Sequence, residues 1–303
     1  MISVENLVFE YPTKRALHGI TFTIEPKTIT AMVGPNGAGK TTLIRCMVAL
    51  AAPFAGNVTI DGCDSVEQPR DCHRKIGYLA DLFGLYDTLS VRHCLTYAAR
   101  THGITMEQVE PRVLAVAQSL QLDDRLEMKA GELSRGLRQR LAIGQAIIHR
   151  PSILVLDEPA SGLDPKARNS LAELLVQLRD QEDMTIIVSS HILAELEAYS
   201  SHLMMIDDGR MTEFRAIQEL KDESKEYRVE LADMQELFKG MLSETESVSN
   251  MIFDGNFATF GFQGDKMELH MLLKDWINKG LPVCGFGEVQ QNLQDVYLKR
   301  VKD

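Results

Sequence analysis

The residues of this chain with the clearest chemical potential stand in one run, Gly34-Pro35-Asn36-Gly37-Ala38-Gly39-Lys40-Thr41, which fits the spacing G-x-x-x-x-G-K-[ST]. Glycines let successive backbone N–H groups turn inward, a lysine brings a positive charge, and a hydroxyl offers a hard oxygen. That combination suits the phosphates of a nucleotide with a divalent cation beside them, and a helix starting at the lysine would add its positive end. Lys40 is expected to reach the terminal phosphates and Thr41 to hold magnesium, with Thr42 beside them in the nucleotide site. Much further along, the run Ile153-Leu154-Val155-Leu156 ends in Asp157-Glu158. Nucleotide hydrolysis needs one carboxylate oxygen near magnesium and one base near the attacking water, so Asp157 is assigned to the metal and Glu158 to the base.

Such residues must be held by strands and helices in a particular order. Residues 3–33 are short alternating runs broken by Tyr11-Pro12-Thr13-Lys14 and Glu25-Pro26-Lys27, which predicts strands of a mostly antiparallel edge layer. Ile29-Thr30-Ala31-Met32-Val33 stops at Gly34, and residues 40–51 have helical composition, so the glycine-rich run lies between a strand and a helix. Apolar residues then recur at helical spacing over residues 88–122 with a break at His102-Gly103, a helical insert that extends to about residue 150. A further helix is predicted over residues 165–180 and a strand over residues 185–189. Helices alternating with continuous apolar strands indicate a parallel sheet covered on both faces. Beyond Asp208-Gly209-Arg210 the texture changes. Strands over 227–231, 248–253, 257–262 and 282–289, with helices over 234–242 and 267–278, give a β-α-β-β-α-β order and a small α+β domain over residues 222–303. Either passive packing or a regulatory or dimer-contact role would account for that domain.

Composition removes several classes of function. The chain has 303 residues, 45% of them hydrophobic, and a formal charge of −11, the wrong sign for gripping nucleic acid through its phosphates. The charge-free stretch over residues 46–60 is shorter than a membrane span and is broken by Pro53 and Gly56, and the N-terminus lacks the pattern of a secretory signal. The expected location is therefore the cytosol. Five cysteines without a C-x-x-C pair suggest neither a disulfide framework nor a zinc site.

Leu133-Ser134-Arg135-Gly136-Leu137-Arg138-Gln139-Arg140, shortly before the Asp157-Glu158 strand, resembles the signature sequence of ABC (ATP-binding cassette) ATPases, and the likeness covers about residues 2–214. Read alone, Ser134 is a helix cap, and with Gly136 it would open a second anion site at a helix N-terminus. The resemblance implies a P-loop cassette over residues 1–214, with an antiparallel β layer and a helical subdomain. It also implies a nucleotide site that takes in Gly34, Pro35, Asn36, Gly37, Ala38 and Gly39 together with Ser134 and Gly136. By order along the chain, Tyr11 corresponds to the aromatic that stacks on adenine and Asp164 of Ser161-Gly162-Leu163-Asp164 to the loop crossing between cassettes. His191 corresponds to the switch histidine at the terminal phosphate. Where many cassettes carry glutamine after the strand at Ile76-Gly77-Tyr78-Leu79, this chain has Ala80-Asp81, and Asp81 is expected to keep an oxygen on magnesium or its water. Arg135 and Leu137 replace the more usual glycine and glutamine, as in cassettes similar to those of ABC-2-type exporters.

The resemblance implies ATP and Mg2+ as cofactors, and a head-to-tail dimer with itself or a second cassette. It further implies a polytopic permease that holds the chain on the inner face of the membrane and docks near residues 81–90 and the helical insert. A soluble ABC ATPase acting on a nucleic-acid or ribosomal partner is the alternative, which the single phosphate loop and the negative charge disfavour; no nucleic-acid partner is expected.

Overall fold

The computed structural model describes residues 1–223, 225–233, 236–243, 245, 248–262 and 264–289. They divide into two units, Met1–Ala216 and Ile217–Asp303.

In the first unit, the half-apolar alternating runs form an antiparallel layer in the order β2-β1-β4-β5, from β1 (Ile2–Tyr11), β2 (Lys14–Ile24), β4 (Ala55–Ile60) and β5 (Cys63–Asp64). Its inward residues, among them Ile2, Val4, Leu17, Phe22, Val58 and Ile60, are buried. The second sheet has the order β10-β9-β3-β8-β7-β6, from β3 (Ile29–Val33), β6 (Ile76–Leu79), β7 (Ile153–Leu156), β8 (Thr185–Ser190), β9 (His202–Asp207) and β10 (Arg210–Ala216). Every neighbour pair in it is parallel except β9 and β10. Strands β3, β7 and β8 are buried at every position, as an apolar run must be when both faces of a parallel sheet are covered.

Helix α1 (Lys40–Met47) lies between the two sheets, with Leu43, Ile44 and Met47 in the core they share. It is shorter than the 40–51 expected from composition. Val48 departs from helical geometry, Ala49 takes φ +56°, and the N–H groups of Leu50 and Ala51 bond back to Arg45 O at 2.9 and 3.1 Å, which closes the helix. The remaining helices are α2 (Pro69–Lys75), α3 (Val91–Thr101), α4 (Met106–Ser119), α5 (Arg135–Ile147), α6 (Pro165–Glu182) and α7 (Leu193–Leu196). Helices α3, α4 and α5 make the helical insert: Ser90 caps α3 by accepting from His93 N, and Ser134 caps α5 by accepting from Leu137 N at 3.4 Å.

The second unit contains α8 (Ile217–Glu223), β11 (Glu226–Leu231), α9 (Glu236–Ser243), β12 (Val248–Asp254), β13 (Phe257–Phe262), α10 (Lys266–Asn278) and β14 (Val283–Val289). From β11 onward the order is β-α-β-β-α-β, and the strands form one antiparallel sheet, β12-β13-β11-β14. Phe260 and Trp276 meet edge to face at 5.2 Å in its core, and the indole N–H donates to Thr245 Oγ1 at 3.2 Å. Of the small domain expected over 222–303, residues 290–303 lie outside the described residues, as do 234 and 235 at the start of the expected 234–242 helix.

Candidate functional site

Strands β3, β8 and β7 are adjacent and parallel, so their carboxyl ends open onto one place. β3 leads into the glycine-rich loop, β7 into Asp157-Glu158, and β8 into His191. Two glycines of the loop are required by space and geometry: a Cβ on Gly34 would lie 2.1 Å from Ile206 O, and Gly39 takes φ +107° immediately before α1. The Lys40 side chain, 7% exposed, folds back so that Nζ donates to Gly34 O at 2.6 Å and Pro35 O at 3.2 Å. It also lies 3.8 Å from Glu158 Oε1.

Asp157, 2% exposed, has both carboxylate oxygens engaged. Thr41 Oγ1 donates to Oδ2 at 2.9 Å, and Ser189 Oγ donates to Oδ1 at 2.6 Å. The same Ser189 Oγ accepts the backbone N–H of Glu158 at 2.8 Å. Glu158 takes φ +49°, a conformation that costs about 1 kcal/mol for a non-glycine residue and persists here because neighbouring bonds hold it. His191 Nδ1 lies 2.9 Å from Glu158 Oε2, and since a carboxylate only accepts, the ring carries its proton on Nδ1. Burial, with the Asp157 charge behind it, pushes the Tyr78 hydroxyl up.

Above this network is a cleft of about 380 Å³ lined by Asn36, Gly37, Gly39, Lys40, Thr41, Thr42, Tyr11, Asp81 and Glu158. Tyr11 stands at its rim with the hydroxyl 3.3 Å from Thr42 Oγ1 and its ring edge-on to Phe9. The oxygens of Thr41 and Asp157 are the hard donors magnesium prefers. Among the described residues no cluster of three or more His, Cys, Asp or Glu side chains is arranged around a metal, so a bound ion would complete its shell with phosphate oxygens and water.

Ser134, Gly136 and Asp164 do not meet the phosphate loop of their own chain. They line a second cleft of about 430 Å³ with Gln139, Arg140 and Lys166, between the N-termini of α5 and α6. Asp164 caps α6 by accepting from Ala167 N at 2.9 Å. Gln139 is buried, yet its amide Nε2 has no hydrogen-bond partner, an unspent donor beside two helix N-termini that suits an anion.

A third surface carries Leu50, Tyr78, Phe83, Tyr97, His102 and His149 around a groove of about 520 Å³. Leu82 and Tyr86 stand exposed on the segment that follows β6. His102 and His149 stack with centroids 3.8 Å apart. Burial, then the neighbouring His102, lowers the His149 pKa to about 4.

Comparison with known proteins shows which family the chain belongs to. The ABC transporter family profile matches residues 17–161. The ABC transporter ATP-binding protein NatA of Bacillus subtilis is 33% identical over 228 residues, 75% of this chain and 92% of that protein. The chain belongs to the ABC transporter ATP-binding proteins. It is an ATPase cassette, the ATP-binding subunit of a transporter. The bacitracin transport ATP-binding protein BcrA of Bacillus licheniformis is 27% identical over 303 residues, 99% of this chain and 97% of that one, so that likeness spans the second unit as well. A solved structure of the ATP-binding subunit of an ABC transporter matches 73% of this chain and 92% of its own with a TM-score of 0.64 at 28% identity.

Several residues at or beneath the phosphate-loop cleft went unnoticed in the sequence. Ser189 is one, and its signal was a serine pair closing a fully buried strand after the apolar run Ile186-Ile187-Val188. Lys14, Asp208 and Gly209 also line the cleft. Gly209 donates its N–H to Ala38 O at 2.8 Å, and a Cβ there would lie 2.2 Å from Ala16 O, so the Asp208-Gly209 turn braces the phosphate loop rather than merely ending a strand pair.

Proposed function

We propose that this cassette hydrolyses ATP at a site shared by two chains packed head to tail. The supporting observation is that groups suited to a nucleoside triphosphate and its hydrolysis are divided between two clefts of one chain: Lys40, Thr41 and the Glu158 carboxylate in one, Ser134, Gly136 and the free Gln139 amide in the other. ATP seated on the phosphate loop of one copy would receive the signature helix of its partner, and two equivalent sites would close together.

In this reading Tyr11 offers its ring to the adenine and the N–H groups of residues 36–42 cradle the phosphates. Thr41 and Asp157 hold magnesium, with Asp81 at the cleft edge to accept from its water; the ion supplies positive charge to the phosphate oxygens when bound. Lys40 leaves the carbonyls of Gly34 and Pro35 for the terminal phosphate. Glu158 Oε1 orients and deprotonates water. His191, held through Nδ1 by Glu158, is the side chain proposed to contact the terminal phosphate.

Closure of two cassettes does work when it moves an attached partner. No described helix is long and apolar enough to cross a membrane, so the proposed partner is a separate polytopic permease, of the ABC-2 export type, which places the chain on the inner face of the membrane. Its cytoplasmic helix would dock in the groove beside Leu82, Tyr86 and Tyr97, where aromatic and aliphatic surface stands open.

One preparation tests both parts. Tagged chain carrying Glu158→Gln is purified from gently solubilised cells and sized with and without ATP and magnesium. The expected result is loss of hydrolysis, an ATP-dependent dimer, and a stoichiometric polytopic membrane protein in the same fraction. A monomer at saturating ATP contradicts the shared site; recovery with RNA or without a membrane protein contradicts the permease reading.

A further inference from the structure

The three arginines of the Ser134–Arg140 segment are spent differently. Arg138 pairs with Asp87 at 2.6 Å and donates to Ala130 O at 2.9 Å, tying α5 to the segment before α3 and to the loop before α5 itself. Arg140 donates to Leu120 O and Gln121 Oε1, each at 2.8 Å, and reaches Ser170 on α6. Arg135 turns instead toward the loop that follows Glu158. Its Nη2 donates to Ser161 O at 2.8 Å, and a Cβ on Gly162 would fall 2.3 Å from each of Cζ, Nη1 and Nη2. Equal distances to three atoms of one plane mean that the guanidinium lies flat over Gly162, at the spot where any other residue would carry a side chain. Gly162 also takes φ +66°, so the position excludes larger residues twice. The loop is short and internally bonded: Ser161 N–H donates to Glu158 O at 3.1 Å and Leu163 N–H to Ala160 O at 3.2 Å. A force on Ser161 therefore reaches the backbone of Glu158 through one hydrogen bond.

We propose that Arg135 is a positioning residue that couples the two nucleotide faces of one chain. It stands next to Ser134 at the N-terminus of α5, which faces the partner's ATP, and it holds the loop that sets the strained backbone of Glu158, which serves the chain's own ATP. Nucleotide arriving at the signature face draws on the same helix end that Arg135 anchors, so the carboxylate of one site is set by occupancy of the other. The guanidinium suits this role because its planar fork donates to Ser161 and covers Gly162 at once, which an ammonium cannot do. This coupling rests on the two-chain site proposed above.

The test is steady-state ATP hydrolysis by the full chain as wild type, Arg135→Ala, Arg135→Lys and Gly162→Ala, together with Arg135→Ala in the Glu158→Gln background sized with ATP. For Arg135→Ala we expect kcat to fall about 10-fold, the ATP KM to stay within about twofold, and the Hill coefficient to drop toward 1. Arg135→Lys should recover part of kcat, since it restores a donor for Ser161 O without the flat cover. Gly162→Ala displaces the guanidinium and should lower kcat similarly, and combining it with Arg135→Ala should cost less than the product of the two single effects. The Glu158→Gln chain should form its ATP-dependent dimer with or without Arg135. Wild-type kcat and Hill coefficient in Arg135→Ala, alongside a normal trapped dimer, overturns the coupling and leaves the shared site standing. A change in KM alone also overturns it, because it marks a nucleotide contact. Failure of the Glu158→Gln chain itself to dimerise overturns the shared site and the coupling with it.

Discussion

The phosphate-loop face and the signature face of this chain differ in how completely they are built. On the first, Thr41, Asp157, Ser189, Glu158 and His191 are joined by an unbroken series of side-chain and backbone bonds, and Asp157 and Lys40 are buried. On the second, Ser134 and Asp164 are exposed and spend their side-chain oxygens on helix caps, while a buried amide lacks a partner. A finished network is preorganised to stabilise charge in the transition state, whereas an open face with unspent donors gains its partners only on association. On the proposed shared site, the chemistry would reside on one face and the permission to perform it on the other.

The largest effect should come from breaking the open face. Gly136→Asp places a carboxylate in the proposed anion site, with the nearest obstacle to its Cβ being Ala167 Cβ at 3.2 Å. Hydrolysis should fall by on the order of 100-fold or more, while ATP binding to the monomer, followed by a fluorescent analogue, stays within about twofold. Equal loss of both would mean that the two faces are not separable. Ser189→Ala attacks the finished face from beneath, removing a donor to Asp157 and the acceptor for Glu158 N–H. We expect kcat to drop roughly 10-fold and stability by about 1–2 kcal/mol in urea, with dimerisation retained.

Asp81→Ala should have a smaller effect, a few-fold rise in the magnesium concentration for half-maximal activity, because a charged oxygen at the cleft edge is lost. Unchanged magnesium dependence would remove Asp81 from the site. The smallest effect lies outside both faces. His149 is held neutral by burial beside His102, with His73 and Arg112 also near, and titrates at about 4 against about 6.5 when unfolded. Between those values the unfolded chain binds a proton that the folded one refuses, so stability should fall as pH drops from 6.5 toward 4, by on the order of 2 kcal/mol. In His149→Phe that part of the slope should vanish in thermal melts, leaving hydrolysis at pH 7.5 near wild type.

The two faces were also unequally legible in the sequence. The phosphate loop is contiguous, and its glycines, lysine and threonine announce their geometry, as does a buried strand ending in Asp157-Glu158. Ser189 and Gly209 escaped because they come to the loop across the sheet, from β8 and from the turn after β9, and only strand order places them there. The end of α1 at Met47 was missed because composition carries no sign that Ala49 turns left-handed. Arg135 was legible as a departure from a family pattern but not as a contact, since its partners Ser161 and Gly162 lie on another loop whose approach depends on the packing of α5 against α6.

The claim that each face completes the other chain's site is tested most directly by mixing two defective chains, one carrying Lys40→Ala and the other Gly136→Asp, each with its own tag. Head-to-tail pairing leaves one composite site intact in the mixture and none in either chain alone. The expected result is an ATP-dependent dimer containing one copy of each tag, formed only when both chains are present. A mixture that binds ATP yet stays monomeric, or dimers that form equally well from either chain alone, would contradict it.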